Sequence, residues 1–233
     1  MSIFCSAVIV AAGRGKRMKS NVDKQFLEID SKSILEIALS KFVLCEFINE
    51  IIIVTSADHF DECRKIAQAY KNKTIRLAEG GSERYISVQN GLKACSGECD
   101  YVFIHDGVRP FIRKSEIYEM YKDVQKYGAC VPAVPVKDTI KVMGKNEYAE
   151  NTLDRSRLYA VQTPQVFSFS LIANAYSRLS PLAKVTDDAS VAELAGCKIH
   201  LSRGRYENIK ITTPEDMYLA RAIYEKEKAD EGC

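Results

Sequence analysis

Apolar and polar positions follow two different periods in the first half of the chain. Short β-branched apolar runs predict buried strands over 7–12, 50–55, 74–78, 101–105 and 129–136. Capped or amphipathic stretches between them predict helices over about 33–44, 58–70, 83–94 and 115–128, with Ser33 and Ser115 as expected N-caps and Gly128 as a stop. Such alternation is typical of an α/β fold, a mostly parallel twisted sheet with helices on both faces.

The alternation stops after Val136. Residues 137–160 read as extended sequence around the turn-like segment 144–146, which predicts a hairpin arm. An isolated two-stranded hairpin is only marginally stable in water, so the arm must bury its apolar side chains against another surface. A second copy of the chain is the simplest supplier, and we therefore expect a homodimer formed through this β-arm.

The strand and helix pattern resumes after the arm. It predicts helices over about 169–179 and from an N-cap at Thr186 to Gly196, and strands over 198–202 and 208–211. Thr213 followed by Pro214 and two acids opens a last helix. We expect one domain over 1–233, with the β-arm as an excursion at about 137–160.

Composition excludes several classes of protein. A net charge of +2 without a long basic run argues against a general nucleic-acid binder. The start of the chain has no basic region before its apolar run, and that run is too short to span a membrane, so we expect a cytoplasmic protein with no membrane contact. The eight cysteines are scattered without a C-x-x-C pair, which argues against a zinc site or a disulfide framework.

The loop after the first strand combines glycines with cations. Gly13 and Gly15 allow close approach of the backbone to a ligand. The nearby cations are Arg14, Lys16, Arg17, Lys19 and Lys24. This pattern suits a polyphosphate. The spacing matches neither the G-x-x-x-x-G-K-[ST] loop nor the dinucleotide fingerprint, which has a third glycine where Met18 stands. From these residues alone, a tight turn with solvated charges explains the segment equally well.

Two more loops fall at the carboxyl ends of predicted strands, where ligands bind in such sheets. One is 80–87, with two glycines, and the other is 106–110. Asp106 is a candidate ligand for a hydrated Mg²⁺ that bridges phosphates, and Arg109 is a candidate partner that positions Asp106. An Asx turn and a plain loop ion pair are the alternatives at these two positions.

Eight stretches resemble, in order, those of the 2-C-methyl-D-erythritol 4-phosphate cytidylyltransferase family. They are AAGRGKRM, DKQFLEI, GGSERYISVQNGL, HDGVRPFI, PVKDTIKV, RLYAVQTPQVF, VTDDASVAELAG and NIKITTPED. The resemblance implies a Rossmann-like nucleotidyltransferase that transfers CMP from CTP to a sugar-alcohol phosphate with Mg²⁺. It also implies a homodimer in which the β-arm of each subunit packs against the other subunit. Asp23, Ser82, Gly107 and Val108 depart from residues common in the family, without removing a charge that the chemistry uses.

The resemblance also assigns roles to residues. Arg17 and Lys24 fall where the family stabilises the transition state. The implied CTP site comprises the glycine loop with Gly13 and Gly15, together with Ala11, Ala12, Gly81, Arg84, Ser87, Asp106 and Arg109, with Asp106 near the ribose and metal. The implied acceptor-phosphate cations are Arg155 and Lys210, with Thr139, Thr163 and Thr186 as nearby hydroxyl candidates.

Three other functions compete with this interpretation. The first is a cytidylyltransferase for ribitol 5-phosphate or another polyol phosphate, which would share the CTP loops. The second is a nicotinamide-dependent oxidoreductase, against which the missing third glycine counts. The third is a nucleotide-binding module without chemistry, against which Arg17, Lys24, Arg155 and Lys210 count because all four cations are present.

Overall fold

An eight-stranded mixed sheet organises the chain. The computed structural model describes residues 3–13, 22–180 and 183–231. The strands of this sheet are β1 (Cys5–Val10), β4 (Ile48–Thr55), β5 (Thr74–Glu79), β6 (Tyr101–Asp106), β7 (Ala129–Pro135), β10 (Tyr159–Val161), β11 (Gln165–Ser168) and β12 (His200–Arg203). Two small hairpins lie apart from it: β2 (Glu28–Ile29) with β3 (Lys32–Ser33), and β8 (Lys141–Met143) with β9 (Ala149–Thr152).

The strand order is β10-β7-β11-β6-β1-β4-β5, with β12 also paired to β7. The pairs β6–β1, β1–β4, β4–β5 and β7–β12 are parallel, whereas β11 runs antiparallel to both β6 and β7, and β10 runs antiparallel to β7. The prediction of a mostly parallel sheet is therefore confirmed. The carboxyl ends of β6, β1, β4 and β5 lie at one edge, and the candidate loops follow β1, β5 and β6 there.

Helices cover both faces of the sheet, as predicted. They are α1 (Ile34–Val43), α2 (Phe60–Gln68), α3 (Arg84–Ala94), α4 (Lys114–Tyr127), α5 (Phe169–Ser177), α6 (Asp188–Leu194) and α7 (Pro214–Glu231). One apolar core joins α1, α2 and α4 to the sheet, and the other joins α3, α5 and α6 to its opposite face. A third cluster packs α7 against α1. Among the described residues, no helix is both long and apolar enough to cross a membrane.

Gly91 lets α3 lie close to the sheet. A Cβ atom at this position would approach Val8 Cγ1 to 2.5 Å and Val54 Cγ2 to 2.8 Å, which are closer than real Cβ contacts. The helix can therefore pack directly over β1 and β4. Its first turn, which carries Arg84 and Ser87, is placed beside the carboxyl ends of these strands.

Several predicted boundaries were wrong. The helix α4 begins at Lys114, because the Arg113 N–H donates to Glu116 Oε2 and Ser115 is not its N-cap. The helix α6 is capped by Asp187, whose Oδ1 accepts from the Ser190 N–H, and not by Thr186.

Other differences concern strands. Residues 208–211 form no strand. They are held by separate contacts, such as the Ile211 N–H donated to Val108 O at 2.9 Å. The strands β2, β3 and β11 were missed because each is only two to four residues long, too short for a periodic signal.

The predicted arm forms a hairpin of β8 and β9 with antiparallel pairing. Met143 and Tyr148 are 75% and 78% exposed on it. The residues at its predicted end instead belong to the main sheet, because β10 pairs with β7 and begins at Tyr159. The hairpin therefore exposes large apolar side chains within a single copy of the chain.

Candidate active site

Four neighbouring parallel strands, β6, β1, β4 and β5, end at the carboxyl edge of the sheet. The loop backbones cross-link neighbouring strands there: Ala11 N–H donates to Val54 O at 2.7 Å, Gly80 N–H to Thr55 O at 2.8 Å and Gly107 N–H to Val10 O at 2.8 Å. The loops that follow β1, β5 and β6 are therefore fixed relative to one another where they leave the sheet.

Asp106 is the electrostatic centre of this edge. Its carboxylate is buried and contacts two cations, Arg84 Nε at 3.0 Å and Lys210 Nζ at 2.7 Å. Burial alone would raise the pKa of Asp106, but the two cations outweigh burial and hold this pKa well below its usual range. The predicted CTP-site acid and the predicted acceptor cation Lys210 therefore meet in one ion-paired cluster.

Arg84 is oriented by a second carboxylate that the sequence did not reveal. Asp188 at the start of α6 is fully buried and binds the Arg84 guanidinium in a bidentate manner, at 2.9 and 2.8 Å. The Tyr176 hydroxyl donates to Asp188 Oδ1 at 2.7 Å. Burial lowers the pKa of Arg84, but the two aspartates outweigh it and raise this pKa well above its usual value. Asp188 lies in the VTDDASVAELAG motif, which was the only sequence signal for it.

Thr163 and His105 hold the end of β6. Thr163 Oγ1 accepts from the Asp106 N–H at 3.0 Å and lies 3.1 Å from His105 Nδ1, while His105 Nε2 lies 3.0 Å from Arg109 O. Burial lowers the pKa of His105 to about 4, so the ring is neutral at pH 7 and Nε2 is the donor. The Thr163 hydroxyl therefore donates to Nδ1 and is committed within the protein.

Arg109 does not form the predicted ion pair with Asp106. Its Nη1 donates to Asn208 O at 2.8 Å, and burial lowers the pKa of its guanidinium. The Asp106 oxygens are instead taken by Arg84 and Lys210. Within the described part of the chain, Arg109 Nε is buried with no hydrogen-bond partner.

The second glycine loop is closely packed. A Cβ atom on Gly80 would overlap Ala12 Cβ, and one on Gly81 would overlap Ile86. The Ser87 hydroxyl accepts from the Gly81 N–H at 3.0 Å and donates to Glu83 O at 3.2 Å. Ser87 therefore organises the loop through its hydroxyl, and Gly80 brings the loop against the end of β1.

Lys24 lies on a short 3-10 turn, Lys24–Phe26, beside the end of β1. The neighbouring Gln25 is buried and its Nε2 donates to Ala11 O at 2.8 Å, which anchors the turn to the predicted pyrimidine site. Sequence reasoning missed Gln25 although it stands in the DKQF motif. Gly13 is exposed, and Gly15 and Arg17 lie outside the described residues.

Three predicted acceptor residues are not joined to this cluster in a single chain. Arg155 Nη1 donates to Lys137 O at 2.9 Å within the arm, and Thr139 is exposed there. Thr186 is also exposed, and its N–H donates to Ser190 Oγ at 3.2 Å. Between residues 22 and 180 and from 183 to 231, no hydrogen bond or ion pair links these three to Asp106 or Arg84.

The donor set bears on the expected Mg²⁺. In the portions of the chain that the structure describes, no three His, Cys, Asp or Glu side chains gather as a metal site. The predicted ligand Asp106 is a single carboxylate with a cation at each oxygen. Mg²⁺ usually binds through one or two carboxylates together with waters and substrate phosphates. The site therefore fits a Mg²⁺ held mainly by nucleotide phosphates.

Comparison with known proteins gives a consistent result. The family model described as 2-C-methyl-D-erythritol 4-phosphate cytidylyltransferase matches residues 5–226. The protein of that name from Clostridium botulinum (strain Langeland) is 46% identical over 223 residues, 95% of this chain and 97% of its own length. The Clostridium acetobutylicum protein of that name is 44% identical, covering 94% of this chain and 97% of its own.

Solved structures agree with the sequence matches. The crystal structure of 4-diphosphocytidyl-2C-methyl-D-erythritol synthase from Anaerococcus prevotii superposes with a TM-score of 0.87 at 35% identity, covering 96% of this chain and 97% of that one. The cytidylyltransferase from Thermus thermophilus superposes with a TM-score of 0.76 at 28% identity, covering 94% and 98%. The similarity therefore extends over nearly the whole chain in both sequence and fold.

Proposed function

Because the chain belongs to the 2-C-methyl-D-erythritol 4-phosphate cytidylyltransferase family, we propose that it transfers CMP from CTP to 2-C-methyl-D-erythritol 4-phosphate. An acceptor phosphate oxygen forms a bond to the α-phosphorus, the bond from that phosphorus to the bridging oxygen breaks, and pyrophosphate leaves. The observation that carries the proposal is the cluster at Asp106, where Arg84 of the nucleotide loop and Lys210 meet at one carboxylate. Family membership argues against the oxidoreductase interpretation.

The reaction needs no general base. The second pKa of a phosphate monoester is about 6, so the acceptor is largely a dianion at neutral pH. His105, the histidine nearest to Asp106 in sequence, is fully buried with both ring nitrogens engaged. Catalysis is therefore a matter of positioning and of stabilising the charge on the transferred phosphoryl group.

We assign this stabilisation to Arg17 and Lys24. The family resemblance supports both roles, and the anchoring of Gln25 to Ala11 O supports Lys24 by fixing its turn at the end of β1. We assign Lys210 and Arg155 to the acceptor phosphate. The nucleotide is assigned to backbone groups of the glycine loops, at Gly13, Gly15, Gly80 and Gly81.

We also propose Mg²⁺ as the cofactor, with Asp106 as its protein ligand. When bound, the ion neutralises phosphate oxygens of the nucleotide. Arg84 keeps the Asp106 carboxylate ionised whether or not Lys210 stays on it, because Arg84 Nε is 3.0 Å away. The Lys210 side chain is 36% exposed and is able to turn to an arriving acceptor phosphate.

A homodimer formed through the arm completes the proposal. Its support is the exposure of Met143 and Tyr148 on the hairpin, together with the separation of Arg155 and Thr139 from Asp106 in one chain. An arm from a partner would bring these residues to the site and bury the apolar side chains. A cytoplasmic location is supported by the free thiols of the seven cysteines in the described ranges.

The activity is tested by pyrophosphate release. The purified chain is incubated with CTP and Mg²⁺ and, separately, with 2-C-methyl-D-erythritol 4-phosphate or ribitol 5-phosphate. We expect release with the first acceptor; release only with ribitol 5-phosphate would support the alternative polyol phosphate. Lys24→Ala should lower kcat by about 10²–10³ with little change in CTP affinity. Lys65→Ala, an exposed lysine on α2, is the charge-matched control and should match the wild type.

The dimer is tested by mixing Lys24→Ala with Arg155→Ala under conditions that exchange subunits. If each site takes Arg155 from the partner, a mixed dimer contains one site with both lesions and one with neither, and activity partly returns. Activity that stays lost after exchange, or a monomer in sedimentation at micromolar concentration, would contradict the shared site.

A further inference from the structure

His59 joins two elements through two carboxylates. Its Nε2 lies 2.8 Å from Asp23 Oδ2, and its Nδ1 lies 2.6 Å from Glu62 Oε2. His59 follows β4 on a 3-10 turn, Glu62 is on α2, and Asp23 directly precedes the turn that carries Lys24. The histidine side chain is only 22% exposed. This geometry ties the Lys24 turn to α2.

The same ring also contacts the other end of the Lys24 turn. The Phe26 ring centroid lies 4.5 Å from that of His59. Asp23 is the N-cap residue of the turn, yet its side chain makes no capping hydrogen bond, and its carboxylate bonds His59 instead. His59 therefore holds both residues that flank Lys24 and Gln25, while Gln25 is anchored separately to Ala11 O.

We propose that protonated His59 is a positioning residue for cytidylyl transfer, which holds the Lys24–Phe26 turn in place and releases it as pH rises. This inference rests on the proposed function and concerns the residue assigned to its transition state. A neutral imidazole has one N–H and can donate to only one of two carboxylates, whereas the imidazolium donates to both. The observed pair of short contacts therefore corresponds to the protonated ring.

The charges around the ring agree with this protonation state. The charged groups on the elements packed around it are Asp23 and Lys24 on the held turn, Asp58 on its own turn, and Asp61, Glu62, Arg64 and Lys65 on α2. Asp61 is paired with Arg64. Partial burial lowers the pKa of His59, but the hydrogen bonds that its ring donates to Asp23 and Glu62 outweigh burial, so this pKa lies above its usual 6.5. The stabilisation that protonated His59 gives to the folded protein is therefore complete below pH 6.5. It is lost as pH rises through the raised pKa of His59.

The inference predicts a two-limbed pH profile for kcat. The rate rises with pH through about 6 as the acceptor phosphate loses its second proton. It then falls on the alkaline side as His59 loses its proton and the turn loosens. A misplacement of about 1 Å in a catalytic group can cost on the order of 10²-fold in rate, so even a small release is measurable.

The experiment compares His59→Gln with three other single variants of the same chain. We expect His59→Gln to lower kcat by about tenfold or more, to leave KM for CTP within about twofold, and to lose the alkaline limb. Asp23→Asn should behave in the same way, and Glu62→Gln should keep kcat at pH 6.5 but move the alkaline limb to lower pH. Asp61→Asn is the matched control, an acid on the same helix without contact to the ring, and should match the wild type.

A readout without activity separates this inference from the proposed function. The amide N–H groups of Phe26 and Leu27 donate to Asp23 O and Lys24 O. Their hydrogen exchange should accelerate by about tenfold in His59→Gln and not in Asp61→Asn. Unchanged exchange with wild-type kcat and pH profile would overturn the inference. If the wild type releases no pyrophosphate but exchange still responds to His59, the proposed function fails while the tie to the turn stands.

Discussion

Replacing Asp188 should both destabilise the fold and disturb the nucleotide site. Asp188 is fully buried, binds Arg84 through both oxygens and accepts from the Tyr176 hydroxyl. Breaking a buried ion pair by removing one partner costs about 3–5 kcal/mol. The Arg84 side chain is 27% exposed and retains Asp106, which places the cost for Asp188→Asn near about 3 kcal/mol.

The assay is urea unfolding combined with steady-state kinetics. With an m-value of about 3 kcal/mol/M, the loss lowers the unfolding midpoint by about 1 M. Because Arg84 loses a charged hydrogen-bond partner that orients it, KM for CTP should also rise by about tenfold or more. Glu119→Gln is the control, since it breaks an exposed pair with Lys122 that is worth about 0–1 kcal/mol.

A midpoint for Asp188→Asn within about 0.3 M of the wild type would refute this reasoning, because the pair would then contribute no more than an exposed one. Arg84→Met with Asp188→Leu provides a second test. Replacing both charges by apolar side chains of similar size is often neutral or stabilising, but here it also removes one cation from Asp106 and the acceptor of the Tyr176 hydroxyl, so this double variant should recover only part of the stability and none of the CTP binding.

Three further outcomes are expected. The contribution of His105 to folding stability should be complete above pH 6.5 and fall by about 3 kcal/mol between pH 6.5 and 4, because His105 binds a proton in the unfolded chain but not in the folded protein, where its pKa is about 4; the difference between wild type and His105→Gln in urea unfolding isolates this step. In competition at equal concentrations, CTP should be used in preference to UTP, read by backbone groups near Gly81; comparable incorporation would rule out that readout. Gly80→Ala should abolish CTP binding in calorimetry, because its Cβ overlaps Ala12, whereas Gly97→Ala, with open space around it, should not.

The sequence predicted the layered fold because its central strands are continuous apolar runs with helices between them. That signal fails where tertiary contacts decide the outcome. The strand β11 is only four residues long, so its antiparallel place between β6 and β7 depends on the neighbouring strands and not on a periodic pattern. The predicted cap Thr186 stands next to Asp187, and Asp is preferred over Thr at this position; the Ser190 N–H donates to Asp187 Oδ1, which makes Asp187 the cap.

The candidate site was predicted in the same uneven way. Motifs assigned Arg84 and Asp106 to the CTP site and Lys210 to the acceptor phosphate, and the structure brings all three together. The motifs did not reveal the roles of Asp188 or the buried Gln25, because each of these residues acts by holding another residue in place. Contacts of this kind follow no fixed spacing along the chain. The expected pairing of Arg109 with Asp106 was wrong for a related reason, since Asp106 is already bound by cations from two other elements.

The balance of charge in this cluster has a consequence for the chemistry. Arg84 and Lys210 contribute two positive charges, and Asp106 and Asp188 contribute two negative charges, so these four groups sum to zero before a nucleotide arrives. A triphosphate therefore gains no net charge compensation from these four groups, and Arg84 acts by its geometry.

The charge compensation for the triphosphate has to come from other groups, which accounts for the separate run of cations beside the first glycine turn and favours the proposed Mg²⁺. Raising ionic strength should accordingly weaken CTP binding in Asp188→Asn more than in the wild type, since that variant leaves one positive charge of the cluster uncompensated and free to attract the triphosphate; equal salt dependence in calorimetric titrations of the two proteins would contradict this charge balance.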